Sequence, residues 1–392
     1  MKSITSTNSK SPALVIEYTD PVEGFKGWLV RDRTDHRICA GGLRVQEGLT
    51  CWKLAAMAHN MTCKMRIAGL RVDGAKSGIA YDPRSPGKRA AVSRFLQAIR
   101  PYVESAYSLG PDLNMEMEEL EEIGRQTGIP SIKMAVARAQ GWELDFFQER
   151  YAVLQQDAGG WPLGRLRAGH GLAAAVLAVL DFLAINRNEA LVAVQGFGTL
   201  AKGAALSLHR AGVRISAIAD IDRCFVAPPG AGLDIPALLA AGSLAAAPPR
   251  EGVGVTPSAA VTGVGCDVFV AAAVENSIPA AAAASMAARA VVPGANLAVS
   301  AESLAIFQER GIPVLPDYLA GCGGSLSMEG LFGPLHHPTP QEVLDHVKEK
   351  MAAIVTRVLQ KSRRNGVSPT TAAADICRES MAAPGNRPYT TS

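Results

Sequence analysis

The sequence predicts a two-domain α/β protein, and three observations carry that expectation. The chain has 392 residues, too many for one core of ordinary size. Its composition, 48% hydrophobic and 19% charged, is that of a well-buried globular protein. The apolar pattern also changes character near Gly171, from an irregular mixture of strands and helices to a regular strand–helix alternation.

In the first half, residues 1–10 read as a tail. Ala13 to Tyr18 and Gly27 to Arg31 read as strands. Thr50 to Lys64 places Leu54, Met57, Ala58 and Met61 at helical spacing, and further helices are expected over Lys88 to Leu109 and Met115 to Thr127. The last of these carries Glu116, Glu118, Glu119, Glu121 and Glu122 in its early turns, where the macrodipole favours them, and reads as a solvated face.

In the second half, a helix over Gly171 to Asn186 leads into the strand Ala190 to Gln195. A glycine turn and a helix to Ala211 follow, then a strand over Val213 to Ala219. Val268 to Ala273, Ala290 to Val292 and Pro313 to Leu315 read as short buried strands of a parallel sheet. Gln341 to Lys361 and Pro369 to Met381 read as helices returning to the first domain. The expected division is therefore 1–160 with 340–392, and 161–339.

The formal charge of +3, from 39 basic and 36 acidic side chains, gives no electrostatic footprint for nucleic acid or an anionic membrane. Seven cysteines at 39, 51, 63, 224, 266, 322 and 377 include no CxxC pair and suit a reducing compartment. The polar start MKSITSTNSKSP lacks an apolar signal core, so a cytoplasmic protein is expected.

Two motifs carry chemistry. The run MTCKMRIAGLRVDGAKSGIAY sets Lys64 and Lys76 among apolar residues and glycines. A buried ammonium is costly, so one lysine could meet a substrate carboxylate while the other, its pKa lowered by burial, shuttles protons. On spacing alone, ordinary surface lysines are the simpler reading. The second motif is Gly196-Phe-Gly198-Thr199-Leu200-Ala201, a G-x-G-x-x-A after a strand and at the opening of a helix, with Asp220 closing the next strand. The first glycine permits the tight turn, the second lets a pyrophosphate approach the helix, and Ala201 allows close helix–strand packing. Asp220 stands where a ribose-binding acid belongs, which favours NAD. Arg214 and Arg223 leave NADP open, and a plain turn residue is the other reading of Asp220.

The order of short blocks, GGLR at Gly41 to Arg44, MTCK, DGAKSGI, GPDLN, VQGFG, ENSI, PGAN and PDYLAGCGG, resembles the glutamate/leucine/phenylalanine/valine dehydrogenase family of amino acid dehydrogenases. The resemblance implies an α/β substrate and oligomerisation domain followed by a Rossmann-type domain. It implies that Lys64 binds the substrate α-carboxylate, that Lys76 is the general base and acid, and that Asp112 exchanges protons with the amino nitrogen. Asp112 taken alone would be a turn or cap residue. Gly42 would lie against the substrate. Gly196, Gly198, Thr199, Leu200, Asp220, Ala272 and Asn296 would hold the cofactor. No metal is required, and a homo-oligomer acting on an amino acid, its 2-oxo acid and ammonia is expected.

Departures from the family pattern bear on the substrate. Glutamate-specific members carry a lysine where Ala40 stands and a serine where Met328 stands, so an apolar or unusual side chain is expected instead of glutamate. Ala168 replaces a threonine near the nicotinamide and His170 an arginine. A catalytically weakened regulatory homologue, or an oxidoreductase acting on a non-standard amine, are the alternatives.

Overall fold

The computed structural model describes residues 11–380 and 387–389. The tail read over 1–10, and Met381 at the end of the last expected helix, lie outside them. The described chain divides into two units, one running to Phe147 and taking in residues 387–389, the other from Gln148 to residue 380.

The first unit is built from β1 (Leu14–Thr19), β2 (Lys26–Arg31), β3 (Cys39–Val45), α1 (Cys51–Ile67), β4 (Asp73–Ile79), α2 (Lys88–Ser105), β5 (Tyr107–Pro111), α3 (Met117–Gln126) and α4 (Met134–Gln140); α5 (Leu144–Ala152) runs on into the second unit. The sheet order is β1-β2-β4-β3-β5, with β3 parallel to both β4 and β5 and the β1–β2–β4 pairs antiparallel. One face, with Leu29, Leu43, Ala75, Ile79 and Leu109, packs against Phe95, Ile99, Leu120 and Ile123 of α2 and α3. On the other face Trp28 and Val30 pack against Leu54 and Ala58 of α1.

Three strands lie where the sequence pattern gave none or gave a helix. β3 and β4 are glycine-rich and buried along their whole length, so they lack the polar/apolar alternation that marks a half-exposed strand. The helix expected to run to Leu109 stops at Ser105, and Tyr107 to Pro111 joins the sheet instead. The glutamate run is exposed at Glu116, Glu118 and Glu122 as expected and departs from the solvated face at Glu121. Glu121 is buried, and its carboxylate accepts from Ser131 Oγ at 3.0 Å and from the Ile132 amide.

The second unit comprises α6 (Leu163–Phe182), β6 (Leu191–Gln195), α7 (Thr199–Arg210), β7 (Arg214–Ala219), β8 (Arg223–Val226), α8 (Ile235–Ala241), β9 (Gly254–Pro257), β10 (Val268–Ala271), α9 (Ala280–Ser285), β11 (Ala290–Pro293), α10 (Ala301–Glu309), α11 (Asp317–Ala320), α12 (Gly323–Phe332), α13 (Pro340–Asn365) and α14 (Pro369–Glu379). Its sheet runs β11-β10-β6-β7-β8-β9, parallel from β11 to β7 and antiparallel beyond. Pro313 to Leu315, expected as a strand, makes a single parallel bridge from Val314 to Val291.

α6 begins at Leu163, well before the expected Gly171. It is long and apolar enough to cross a membrane by composition, yet most of it is buried among neighbouring helices. Gly169 lets α7 approach: a Cβ there would stand 2.5 Å from the Ala204 nitrogen. Both C-terminal helices belong to this second unit, where sequence had returned them to the first. The reason lies in α6, which is apolar on all sides and needs cover from more than one direction. α13 packs along it, with Val347 Cγ1 3.3 Å from where a Cβ of Gly171 would be.

Candidate active site

Lys76 lies in the middle of β4, paired with Val30 of β2, and its side chain is 5% exposed. Ala75, Ser77 and Ile79 point to the α2/α3 side of the sheet, so the alternation of the strand sends Lys76 to the α1 side with Gly74 and Gly78. Gly74 is required there. A Cβ at this position would sit 2.1 Å from both the Ala58 carbonyl oxygen and the Thr62 nitrogen, so only glycine lets α1 lie directly on β4. The Gly74 amide in turn donates to Thr62 Oγ1 at 3.0 Å.

Asp112 follows the last residue of β5, held by its amide donating to the Leu43 carbonyl at 3.0 Å. A Cβ on Gly42 would stand 2.8 Å from Asp112 Cβ, so the bare glycine admits the aspartate over β3. The Asp112 carboxylate bridges two buried cations. Lys76 Nζ lies 3.2 Å from Oδ1, and Arg44 Nε donates to Oδ2 at 2.6 Å. Arg44 also donates through Nη1 to Gln46 Oε1 at 2.9 Å.

Burial disfavours the charge on Asp112, but Lys76 and Arg44 outweigh it and hold the carboxyl down at about 2. Burial pushes the Lys76 ammonium below the usual lysine range. Asp112 opposes that shift, while the charges of Arg44 and Lys64 add to it. Lys64, half-buried in the last turn of α1, is thus an electrostatic neighbour of Lys76. The arrangement sets an amine whose pKa burial lowers beside a carboxylate held ionised, a pairing suited to proton transfer. The structure therefore gathers Lys64, Lys76, Asp112 and Gly42 on one side of one sheet. Arg44, visible in the GGLR block but given no role by sequence reasoning, joins them. Ala40, also on β3, is 7% exposed.

The nucleotide-type site is built separately within the second unit. β6 ends at Gln195, and Gly196 turns the chain at φ +113°. A Cβ there would stand 2.5 Å from the Ala272 carbonyl oxygen. Gly198 is the residue before α7, and a Cβ on it would meet nothing within 4 Å. Thr199 opens the helix exposed to solvent, Leu200 is half-buried, and Ala201 is buried. That open helix start, with unpaired first-turn amides, fits a dinucleotide pyrophosphate.

Asp220 follows β7, and its Oδ1 accepts the amides of Asp222 and Arg223 at 2.9 Å each. The side chain thus does hold a turn, and only Oδ1 is engaged in those two bonds. Arg214 donates to the Gly230 and Glu189 carbonyls. Ala272, whose amide donates to the Gln195 carbonyl, and Asn296, in the loop after β11, lie on the same end of the parallel strands as Gly196. His170 bonds Ser207 Oγ at 3.2 Å on α7, and burial pushes its imidazole pKa down, which is a structural placement. Ala168 lies on α6, its carbonyl 2.8 Å from where a Gly323 Cβ would be. Met328 is buried on α12, beside Ser327, which accepts from Arg167 at 2.7 Å.

The comparisons with known proteins agree with this layout. Residues 159–383 match the family described as Glutamate/Leucine/Phenylalanine/Valine dehydrogenase, and residues 12–128 match its dimerisation domain. Glutamate dehydrogenase B of Halobacterium salinarum is 28% identical over 87% of this chain and 80% of its own. An NAD-specific glutamate dehydrogenase of Clostridioides difficile is 27% identical over 80% of this chain and 76% of its own. The solved hetero-hexameric glutamate dehydrogenase of Thermus thermophilus, in its Leu-bound form, superposes with a TM-score of 0.76 at 25% identity. That match covers 94% of this chain and 88% of the other. Both halves of the chain match in family order, and the chain belongs to the glutamate/leucine/phenylalanine/valine dehydrogenase family of amino acid dehydrogenases.

Proposed function

We propose that this chain catalyses the reversible, NAD(P)-dependent oxidative deamination of an amino acid other than glutamate, with an apolar or unusual side chain, to its 2-oxo acid and ammonia. The observation that carries the reading is the buried Lys76–Asp112–Arg44 array. The bound dinucleotide supplies the hydride acceptor for the α-carbon. Lys64 holds the α-carboxylate through charge-assisted hydrogen bonds. Asp112, kept ionised, takes a proton from the substrate amino group. Lys76, once deprotonated, takes a proton from the water that adds to the imine carbon, and returns one to the departing nitrogen. In the reverse direction the same groups run the proton transfers backwards.

Gly196, Gly198, Thr199 and Leu200 cradle the pyrophosphate, Ala272 and Asn296 flank the nicotinamide end, and Asp220 binds the adenosine ribose. An acid there, together with Arg214 engaged on backbone carbonyls, favours NAD over NADP. Ala40 and Met328 offer no polar grip to a γ-carboxylate, and a buried unpaired carboxylate costs several kcal/mol, which disfavours glutamate. The family's dimerisation domain supports a homo-oligomer. Ala168 alone favours the weakened-homologue reading, against the intact Lys76–Asp112 pair.

A panel of amino acids assayed at the absorbance of reduced nicotinamide tests the proposal. Turnover is expected on at least one non-glutamate substrate, lost in Lys76→Ala with dinucleotide binding retained. Dinucleotide binding without turnover of any amino acid would refute it, and near-normal kcat in Lys76→Ala would remove the base.

A further inference from the structure

The first unit's sheet holds a second buried ammonium, which the proton chemistry above does not use. Lys133 precedes α4 and is 7% exposed. Its Nζ donates to Ser108 Oγ at 3.3 Å and lies 3.6 Å from where a Cβ of Gly110 would be, with the Gly41 carbonyl oxygen 3.8 Å from the same point.

The strand alternation fixes which side of the sheet this is. Tyr107 and Leu109 of β5 enter the α2/α3 core, so Ser108 and Gly110 face the other side, the side of Lys76. The registers line these residues up. Ala40 pairs with Ser108 on one edge and Gly74 on the other, and Gly42 pairs with Gly110. The result is a row of residues with little or no side chain, Ala40 on β3 beside Ser108 and Gly110 on β5, while the Gly74 end of β4 lies under α1. Lys76 Nζ reaches across to Asp112 just past β5, and the Lys133 ammonium lies over Gly110, two residues earlier on that strand.

The segment that delivers Lys133 is fixed on three sides. Ser131 Oγ donates to the buried Glu121 carboxylate at 3.0 Å and accepts the Lys133 amide at 3.1 Å, while the Ile132 carbonyl accepts the Leu109 amide at 3.0 Å. This explains why an acid of the α3 run is buried: it anchors the turn that carries the lysine. Binding groups held by such supports lose little freedom when a ligand arrives.

We propose that Lys133 is a specificity residue, donating to an oxygen acceptor at the tip of the substrate side chain while Lys76 and Asp112 act at the α-carbon. The proposal rests on the amino acid dehydrogenase reading above and deepens it. An amino acid whose side chain ends in a carboxylate or carboxamide suits an ammonium so placed, and Ala40 presents only a methyl on the strand beside Ser108. Between a wholly apolar and an unusual side chain, Lys133 selects one with a polar tip.

The test compares the intact enzyme with Lys133→Met and Lys133→Arg on 2-aminoadipate, glutamine, glutamate and norleucine, at saturating dinucleotide. The wild type is expected to prefer an acceptor-tipped substrate. Lys133→Met should raise KM for that substrate about 10- to 100-fold with kcat little changed, the loss of one charge-assisted hydrogen bond. KM for norleucine and for the dinucleotide should stay put, and Lys133→Arg should recover part of the loss. Should the methionine variant not fold, Lys133→Gln serves the same comparison. A wild-type preference for norleucine overturns the proposal, as does a Lys133→Met effect equal on all substrates. Glutamate as the preferred substrate, lost in Lys133→Met, would support Lys133 and refute the exclusion of glutamate. Turnover of no amino acid overturns both readings; turnover with an unchanged substrate ratio overturns this one alone.

Discussion

Replacing Asp112 by Asn removes the counter-charge from Lys76 while keeping the side chain's size. Lys76 Nζ and Asp112 Oδ1 are 3.2 Å apart. At an effective dielectric of about 20, that separation corresponds to about 5 kcal/mol of attraction before solvation is counted. One pKa unit is about 1.4 kcal/mol, so survival of even a third of the attraction moves the lysine by more than about one unit. The sign follows from the environment. Asp112 raises the Lys76 pKa, whereas burial, Arg44 and Lys64 lower it, so Asp112→Asn leaves only the lowering influences. Competitive labelling with acetic anhydride across pH, followed by mass spectrometry of the Lys76 peptide, reads the midpoint whether or not the variant turns over. The wild-type midpoint should fall below that of an ordinary lysine, and the Asp112→Asn midpoint lower still by a unit or more. An unmoved or raised midpoint would refute the electrostatic coupling and, with it, the reason for placing these two groups in one proton relay.

Two further outcomes follow from the backbone. Asp220→Ala should weaken NAD more than NADP in fluorescence titrations, because only NAD presents a free ribose hydroxyl pair to a carboxylate; equal weakening would leave Asp220 as a turn residue held by its bonds to Asp222 and Arg223. Gly74→Ala would push a methyl against the Ala58 and Thr62 backbone at 2.1 Å, an overpacking that costs about 1–3 kcal/mol or more. Calorimetry should show a Tm lower by several degrees, and a change under about 1 °C would mean that α1 can lift from β4 freely.

Legibility in the sequence differed sharply between the two units. The strand–glycine turn–helix–strand–acid order of the second unit is local, and the structure places Gly196, Gly198, Thr199 and Asp220 where that order puts them. The proton-handling strand is a different case. DGAKSGI is buried along its whole length, and the residues that make it a strand are its neighbours Val30 of β2 and Leu43 of β3, distant in sequence. Lys76 could be singled out as a residue type in an apolar context, but not placed beside Arg44 and Asp112, because that grouping depends on β3 pairing with both β4 and β5. Lys133 stands as a lone lysine in the apolar run GIPSIKMAVA, a signal too weak without the fold. The position of α13 was illegible for a similar reason: its apolar stripe announces a partner but does not say which.

The bare glycine and alanine rows of β3, β4 and β5 also bear on how relatives of this chain could diverge. At Gly110, where the nearest atom to an added Cβ would be Lys133 Nζ at 3.6 Å, a methyl can be gained with every strand left where it is, whereas Gly42 and Gly74 admit none. Divergence of appetite could then proceed by point changes at positions such as 40 and 110, leaving Asp112 and Lys76 in place.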